Sequence, residues 1–222
     1  MTRGGSMVDD APTGPRSNKG ERTRSRLLDA AKAVFEEQGF LNARVSDVAE
    51  RAGLSHGSFY HYFDSKEQIF REVADAVHKR LGAPMADVIL APGSHLAPQE
   101  RLRQALRQHF ESYRAEARIM GVIEQVSRYD DHVDAMLAIR QSEYAEQVAE
   151  SIRQLQRRHL ADPTLDPELT ATIVGALTGR FAEMWLVQGA VDATMDRAVE
   201  QVSKLLVNAM GLRSEAAPRR RD

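Results

Sequence analysis

The chain has 222 residues, is 42% hydrophobic and 28% charged, and carries a formal net charge of -2. That length allows one large domain or two small ones with a full core, and the small net charge points to no particular partner. No apolar run approaches the ~18 residues that span a bilayer, the N-terminal "MTRGGSMVDDAPTGPRSNKG" lacks the apolar stretch of a secretory signal, and the absence of cysteine removes disulfide and thiolate chemistry; a soluble cytoplasmic protein is expected.

Residues 1–18 are rich in Gly, Pro and Ser without apolar periodicity and read as a disordered arm. Between Arg16 and Arg26, Arg16, Lys19, Arg22, Arg24 and Arg26 stand against Glu21 alone, a basic strip that is either a solvated tail or an anion-binding one. From Glu21 the pattern turns helical, with Leu27, Leu28, Ala31, Val34 and Phe35 on one side and Gly39 as the stop. A short second helix is expected from Val45 to Ala52, with Asn42 as a candidate cap. Gly53 marks a tight turn, Ser55 caps a third helix to about Tyr62, and Ser65 caps a fourth that carries Ile69, Phe70, Val73 and Val77. The stretch "GAPMADVILAPGSHLAP" between Leu81 and Pro98 reads as a loop, because Gly and Pro interrupt it repeatedly.

Helical stripes then run to the end. They are Leu102, Leu106, Phe110 and Tyr113; Met120, Ile123 and Val126; Val133 to Leu155; Ile173, Leu177, Phe181 and Trp185 behind the start signal Asp166-Pro167; and Met195 to Ala209, closed by Gly211. No segment alternates with period two for long enough to make a strand. The chain therefore reads as all-α, with about nine helices.

Two short helices joined by a Gly-containing turn match a helix-turn-helix. Such a motif needs a recognition helix with one packing face and one face of short donors and acceptors. In "LSHGSFYHYF", Phe59, Tyr62 and Phe63 fall at i, i+3 and i+4 and share the packing face. Ser55, His56, Ser58 and His61 are left for the other side, Gly57 lets the backbone approach a groove, and Tyr60 adds a ring and a hydroxyl. Lys66 opens the next helix, where amides and a cation together suit one phosphate. The bland reading is a surface helix pair in an ordinary bundle.

This segment strongly resembles the TetR family of bacterial transcriptional regulators. The residues that carry the likeness are Gly39-Phe40, Asp47-Val48-Ala49, Ala52-Gly53-Leu54-Ser55, Gly57, Phe59-Tyr60-His61-Tyr62-Phe63 and Ser65-Lys66, in unbroken spacing over about 50 residues. The resemblance implies a homodimer of all-α subunits, each with an N-terminal three-helix DNA-binding domain and a larger ligand-binding and dimerisation domain. It also implies a repressor of a palindromic operator in double-stranded DNA, released by a small hydrophobic or amphipathic effector. A DNA-binding protein without an effector pocket, or an activator, fits the same residues. By the family's pattern Ser55, His56, Gly57, Ser58, Tyr60 and His61 face the operator and Lys66 holds phosphate. The second helix departs from that pattern, since "NARVSDVA" puts Arg44 and Val45 where hydroxyls are usual and Ser46 where a cation is common; Arg44 and Ser46 remain DNA-contact candidates. Beside a duplex, the basic arm gains phosphate or minor-groove contacts as its better reading.

The domain layout expected is therefore a disordered arm over 1–18, a DNA-binding domain over 19–65, a ligand-binding and dimerisation domain over 66–212 and a disordered tail over 213–222. In the larger part, Gly175 and Gly179 stand four apart and permit close helix approach. With Val199, Val202 and Leu206 on the last stripe they are candidates for a four-helix dimer interface, or for packing within one subunit. Phe110, Tyr113, Met120, Ile123, Met136, Tyr144, Phe181, Met184 and Trp185 are candidates to line a cavity, and equally ordinary core residues. Arg140 and Arg180, with His109 and Gln125, are polar residues among apolar ones that would orient a ligand or pair with neighbours. A buried Arg180 needs an anion, such as Glu183 or an acidic ligand group.

No G-x-S-x-G, phosphate-binding loop, G-x-G-x-x-G or H-E-x-x-H motif is present, and the seven histidines show no metal-ligand spacing. Neither catalysis nor a metal or cofactor is expected.

Overall fold

The computed structural model describes residues 15–90 and 96–213, with side chains described over 19–81 and 96–213. Among these residues there are nine α-helices and no strand: α1 (Pro15–Asn42), α2 (Val45–Arg51), α3 (His56–Phe59), α4 (Lys66–Leu90), α5 (Pro98–Ala115), α6 (Ala117–Ser127), α7 (Asp131–Arg157), α8 (Pro167–Ala182) and α9 (Met195–Ala209), with a π-helical turn at Glu183–Val187 after α8. The all-α expectation holds. The chain forms two compact units, the first ending at Phe70 and the second starting at Arg71.

In the first unit, α1 changes direction at Gly39, which adopts φ 72. This left-handed conformation costs glycine little and other residues more, and it ends the straight helix where the sequence placed the stop. The returning turn puts Phe40 into a three-ring cluster. Phe70 meets Phe35 edge-on with centroids 5.0 Å apart, and it meets Phe40 at 4.8 Å. Leu27, Ala31, Val34, Val48, Phe59 and Ile69 complete the buried core. Because Ile69 and Phe70 belong to it, the first turn of α4 is part of this unit. At the turn between α2 and α3, Gly53 has φ 65 and Arg26 donates to the Ala52 carbonyl. The positive dihedral asks for glycine, and a Cβ there would lie 3.1 Å from the Arg26 guanidinium and crowd it.

Several helix starts follow the capping rules read from the sequence. The Ser65 hydroxyl accepts from the Gln68 amide at 3.1 Å, and Asp166 accepts from the Leu169 amide at 2.8 Å. Others differ. Asn42 does not cap α2; its side chain donates back to the Gln38 carbonyl of α1, and Arg44 occupies the cap position without a side-chain cap bond. The segment expected to be a loop after Leu81 is helical as far as Leu90, because a proline inside a helix removes one backbone bond without ending it. Helix α1 begins at Pro15, so residues 15–18 of the expected disordered arm are helical. The rest of that arm and the tail beyond residue 213 lie outside the described residues.

In the second unit α7 packs along α8 and α5 along α9, with α6 against α7 and the π-helical turn. Leu106, Phe110, Ile119, Ile123, Val133 and Ala171 are fully buried between them. Among the described residues no helix is long and apolar enough to cross a membrane.

Candidate nucleic-acid interface and cavity

Helix α3 is only four residues long, and its own backbone bonds do not hold it in place. It is anchored by Phe59 and Phe63, which are buried, with ring centroids 5.7 Å apart. The Arg24 guanidinium covers the Phe63 ring at 4.9 Å from its centroid, which gives one residue of the basic strip a packing role. Tyr62 is half-buried beside them. The Ser55 hydroxyl accepts from the Ser58 amide at 3.2 Å and lies 2.7 Å from the Ser58 hydroxyl. The cap thus fixes the helix start and ties both serines to each other.

Opposite the buried rings, Ser55, His56, Gly57, Tyr60 and His61 are exposed. The His56 and Tyr60 rings meet edge-on at 5.3 Å, and a Cβ at Gly57 would meet nothing within 4 Å. The face is open and polar, with two imidazoles and a phenol that both donate and accept hydrogen bonds. On α2, Arg44 and Ser46 are exposed, and the Ser46 hydroxyl donates to Asp47 at 3.1 Å.

Lys66 departs from the expectation. Its ammonium donates to the carbonyls of Phe40 at 2.8 Å, Ala43 at 3.0 Å and Leu41 at 3.5 Å, and it lies 4.5 Å from the Phe40 ring centroid. An ammonium has three donors, and here three carbonyls take them. The cation satisfies the carbonyls left open where α1 ends, so it locks the return turn.

The second unit contains a cavity of about 430 Å³. Five of the residues expected to line it do so: Tyr113, Met120, Arg140, Tyr144 and Arg180. Phe110, Ile123, Met136, Phe181, Met184 and Trp185 do not. The reason is clearest for the rings, since Phe110, Phe181 and Trp185 stack on one another with all three centroid separations at 5.7 Å. The Trp185 indole donates to the Ala193 carbonyl at 3.0 Å, which satisfies its only polar group. Residues that sequence reasoning did not assign to a cavity take their place, among them His78, Glu124, Ser127, Gln141, Thr178 and Glu183. Only Glu183 had a signal, its i,i+3 spacing from Arg180.

The charges on this wall largely neutralise one another. Arg140 donates to Asp75 at 2.8 and 2.5 Å and to Glu143 at 2.5 Å. Burial pushes the Asp75 carboxyl up, but hydrogen bonds from Lys79 and Arg140 outweigh it and hold the group below its ordinary value. Arg180, more than half exposed, donates to Glu183 at 2.6 Å, so its anion comes from its own helix region. Burial raises the Glu124 carboxyl, and the neighbouring Glu183 charge raises it further. Burial also moves the Tyr113 and Tyr144 phenols far up and pushes the His78 and His109 imidazoles down to about 4. Both imidazoles are neutral at pH 7. Four buried polar atoms of the wall, Tyr144 Oη, His78 Nε2 and both ring nitrogens of His109, have no hydrogen-bond partner. Such a group costs about 1–3 kcal/mol when left unmade.

The expected interface residues also move. Val199, Val202 and Leu206 are buried on the face of α9 that packs along α5, because the apolar stripe serves the subunit's own core. A Cβ at Gly175 would meet the Tyr144 ring at 3.6 Å, so its close approach is to α7 of the same chain. Gly179 lines the cavity. The exposed apolar residues of the terminal helices are instead Leu169, Ile173 and Leu205.

An aromatic-anchored helix-turn-helix carrying an open polar face, followed by a second helical unit with a cavity, defines a DNA-binding regulator. The family described as bacterial regulatory proteins, tetR family, matches residues 27–73. The uncharacterized HTH-type transcriptional regulator YdgC of Bacillus subtilis is 41% identical over 76 residues, which is 34% of this chain and 39% of that protein. The HTH-type transcriptional repressor KstR2 of Rhodococcus jostii is 25% identical over 206 residues, covering 90% of this chain and 96% of that one. The fold matches the fatty acid degradation regulator FadR of Bacillus halodurans with a TM-score of 0.70 at 19% identity, over 91% of this chain and 100% of that one. It also matches Bacillus subtilis FadR, solved with stearoyl-CoA, with a TM-score of 0.69 at 19% identity, over 84% and 98%. The chain belongs to the TetR family of transcriptional regulators.

Proposed function

We propose that the protein is a ligand-responsive repressor that binds a palindromic operator as a homodimer and lets go when a small apolar or amphipathic effector occupies the second unit. The observation that carries this reading is the cavity of about 430 Å³ with unpartnered polar atoms in its wall, in a chain that also presents an open polar recognition face. A purely structural helical domain gains nothing from such a cavity and loses packing by it. KstR2 is named a repressor, and FadR was solved with an acyl-CoA bound, which supports repression and ligand control here. Leu169 and Ile173 on α8 are 60% and 56% exposed, and Leu205 on α9 is 52% exposed, which supports a partner subunit on that face.

On this reading His56, Gly57, Tyr60 and His61 meet base edges and phosphates, Ser55 and Ser58 hold the helix start beside them, and Arg44 and Ser46 lie at the backbone. Two such helices enter successive major grooves about 34 Å apart. The effector binds the conformer with a different spacing and weakens operator binding by its differential affinity. Helix α4 is the candidate lever, because it supplies Ile69 and Phe70 to the first unit and His78 and Leu81 to the cavity wall. The protein acts in the cytoplasm. The test is selection of bound DNA from a random pool, with the solution mass measured alongside. A two-fold symmetric site bound by a dimer, whose reporter rises when the gene is deleted, is the expected result. A reporter that falls makes the protein an activator, and an asymmetric site bound by a monomer overturns the dimer reading.

A further inference from the structure

We propose that the cavity takes an uncharged, mostly apolar molecule bearing a hydroxyl or carbonyl group, which hydrogen-bonds to Tyr144 Oη and His78 Nε2. The inference rests on the effector reading above and names the chemical class that reading leaves open.

The argument begins with what the wall withholds. An acidic ligand, a carboxylate or a phosphate, needs an uncommitted cation inside the cavity. Its two arginines are already engaged, Arg140 by Asp75 and Glu143 and Arg180 by Glu183. The two buried imidazoles, His78 and His109, are held neutral by burial and offer no positive charge near pH 7. A cationic ligand is disfavoured for the complementary reason. Glu183 is bonded to Arg180 and to the Gln188 amide at 2.7 Å, Asp134 is exposed to solvent, and Glu124 retains its proton more readily than an ordinary glutamate.

What the wall offers is a set of buried, uncharged polar atoms with nothing to bond, Tyr144 Oη and His78 Nε2 together with the two His109 nitrogens. A phenol donates and accepts, and a neutral imidazole nitrogen does one or the other according to its tautomer. A single hydroxyl or carbonyl on a ligand satisfies either. Leu81, Met120, Leu137 and Ala138 supply the apolar remainder of the lining, as expected for a site that grips an apolar body and orients it by a few polar contacts.

The test uses the full chain and three ten-carbon probes that differ only in their head group: 1-decanol, decanoate and decylamine. Binding is measured by calorimetry and by melting temperature at pH 7.5. Binding of 1-decanol at least about tenfold tighter than either charged probe is expected. Tyr144→Phe removes the unsatisfied hydroxyl, so it raises the melting temperature of the unliganded protein and weakens 1-decanol about fivefold to tenfold. A purely structural tyrosine would not separate those two effects. Preference for decanoate or decylamine, or no binding by any probe, overturns the inference. Gly179→Phe separates that failure from failure of the effector reading. Gly179 lines the cavity and has nothing within 4 Å of a Cβ, so a ring there fills it. A probe that binds this variant as well as the parent is binding elsewhere, and the effector reading falls with it.

Discussion

The two units treat polar atoms in opposite ways. In the first, the interior is entirely apolar and aromatic; every histidine and serine of the recognition segment lies at the surface or is capped by a neighbour. In the second, two imidazoles and a phenol are carried inside and four of their atoms are left unpartnered. The first arrangement makes a rigid platform, because the Phe35, Phe40, Phe59, Phe63 and Phe70 rings are buried and Lys66 caps the carbonyls where α1 ends. The second keeps stability in reserve, which a bound molecule recovers by completing the missing hydrogen bonds. On the proposed reading, a unit that presents a fixed face to a rigid duplex has no use for slack, whereas a unit that responds to a small molecule requires it.

The largest expected effect breaks the rigid platform. Phe35 is fully buried against Phe40 and Phe70. Phe35→Ala leaves a cavity that the surrounding rings cannot fill and costs about 3–5 kcal/mol, a large share of a typical domain's total stability. Urea unfolding followed by circular dichroism measures this. A loss under 1 kcal/mol would mean that the first unit tolerates voids as the second does, and the contrast would vanish.

Next comes pH, which acts on the second unit. The His78 and His109 imidazoles sit at about 4 in the folded chain against an ordinary 6.5. For both, burial lowers the value; the Asp75 charge opposes this at His78 and the Leu81 backbone opposes it at His109. Above pH 6.5 these groups are neutral in both states and their contribution is fully present. As the pH falls from 6.5 toward 4, the unfolded chain takes up protons that the folded chain refuses, and stability drops by on the order of 2–3 kcal/mol per imidazole. The double variant H78Q/H109Q should flatten that window in a series of denaturant curves. An unchanged slope would show that neither imidazole is held neutral.

Lys66→Met is smaller and sharper. Removing three charge-assisted bonds to the Phe40, Leu41 and Ala43 carbonyls lowers the stability of the first unit by about 1–3 kcal/mol. Operator affinity falls through loss of positioning. The dependence of affinity on salt should keep its slope, because no phosphate contact is lost. A slope reduced by about 0.9 would return Lys66 to the phosphate backbone.

These contrasts also mark what the sequence could and could not convey. The i, i+3, i+4 spacing of Phe59, Tyr62 and Phe63, the turn at Gly53 and the caps at Ser65 and Asp166 are local features, and local spacing predicts them well. The bonds Lys66 makes were not legible, because the carbonyls it caps lie more than twenty residues away in sequence. Val199, Val202 and Leu206 were correctly seen as a stripe, but an apolar stripe carries no mark of whether α5 or a second subunit will cover it. The cavity wall was the least legible part. His78 follows Val77 on α4 and resembles any histidine at a helix edge, and the aromatic residues that suggested a pocket satisfy one another in the Phe110, Phe181 and Trp185 cluster. A cavity is defined by where packing fails, and no single residue encodes that.

The smallest change in stability tests the recognition face itself. His61 is exposed and sits opposite the buried Phe59 and Phe63, so His61→Ala should leave the melting temperature unchanged, as surface substitutions usually do. If its imidazole reads a base, operator affinity falls by about 1–3 kcal/mol while affinity for random duplex stays the same. If it meets only a phosphate, both affinities fall together and the salt slope is reduced. The two outcomes are separated by measuring both duplexes at two salt concentrations. The first result makes the platform a sequence reader at this position. The second leaves direct reading to His56 and Tyr60, whose edge-on ring contact holds them as a pair.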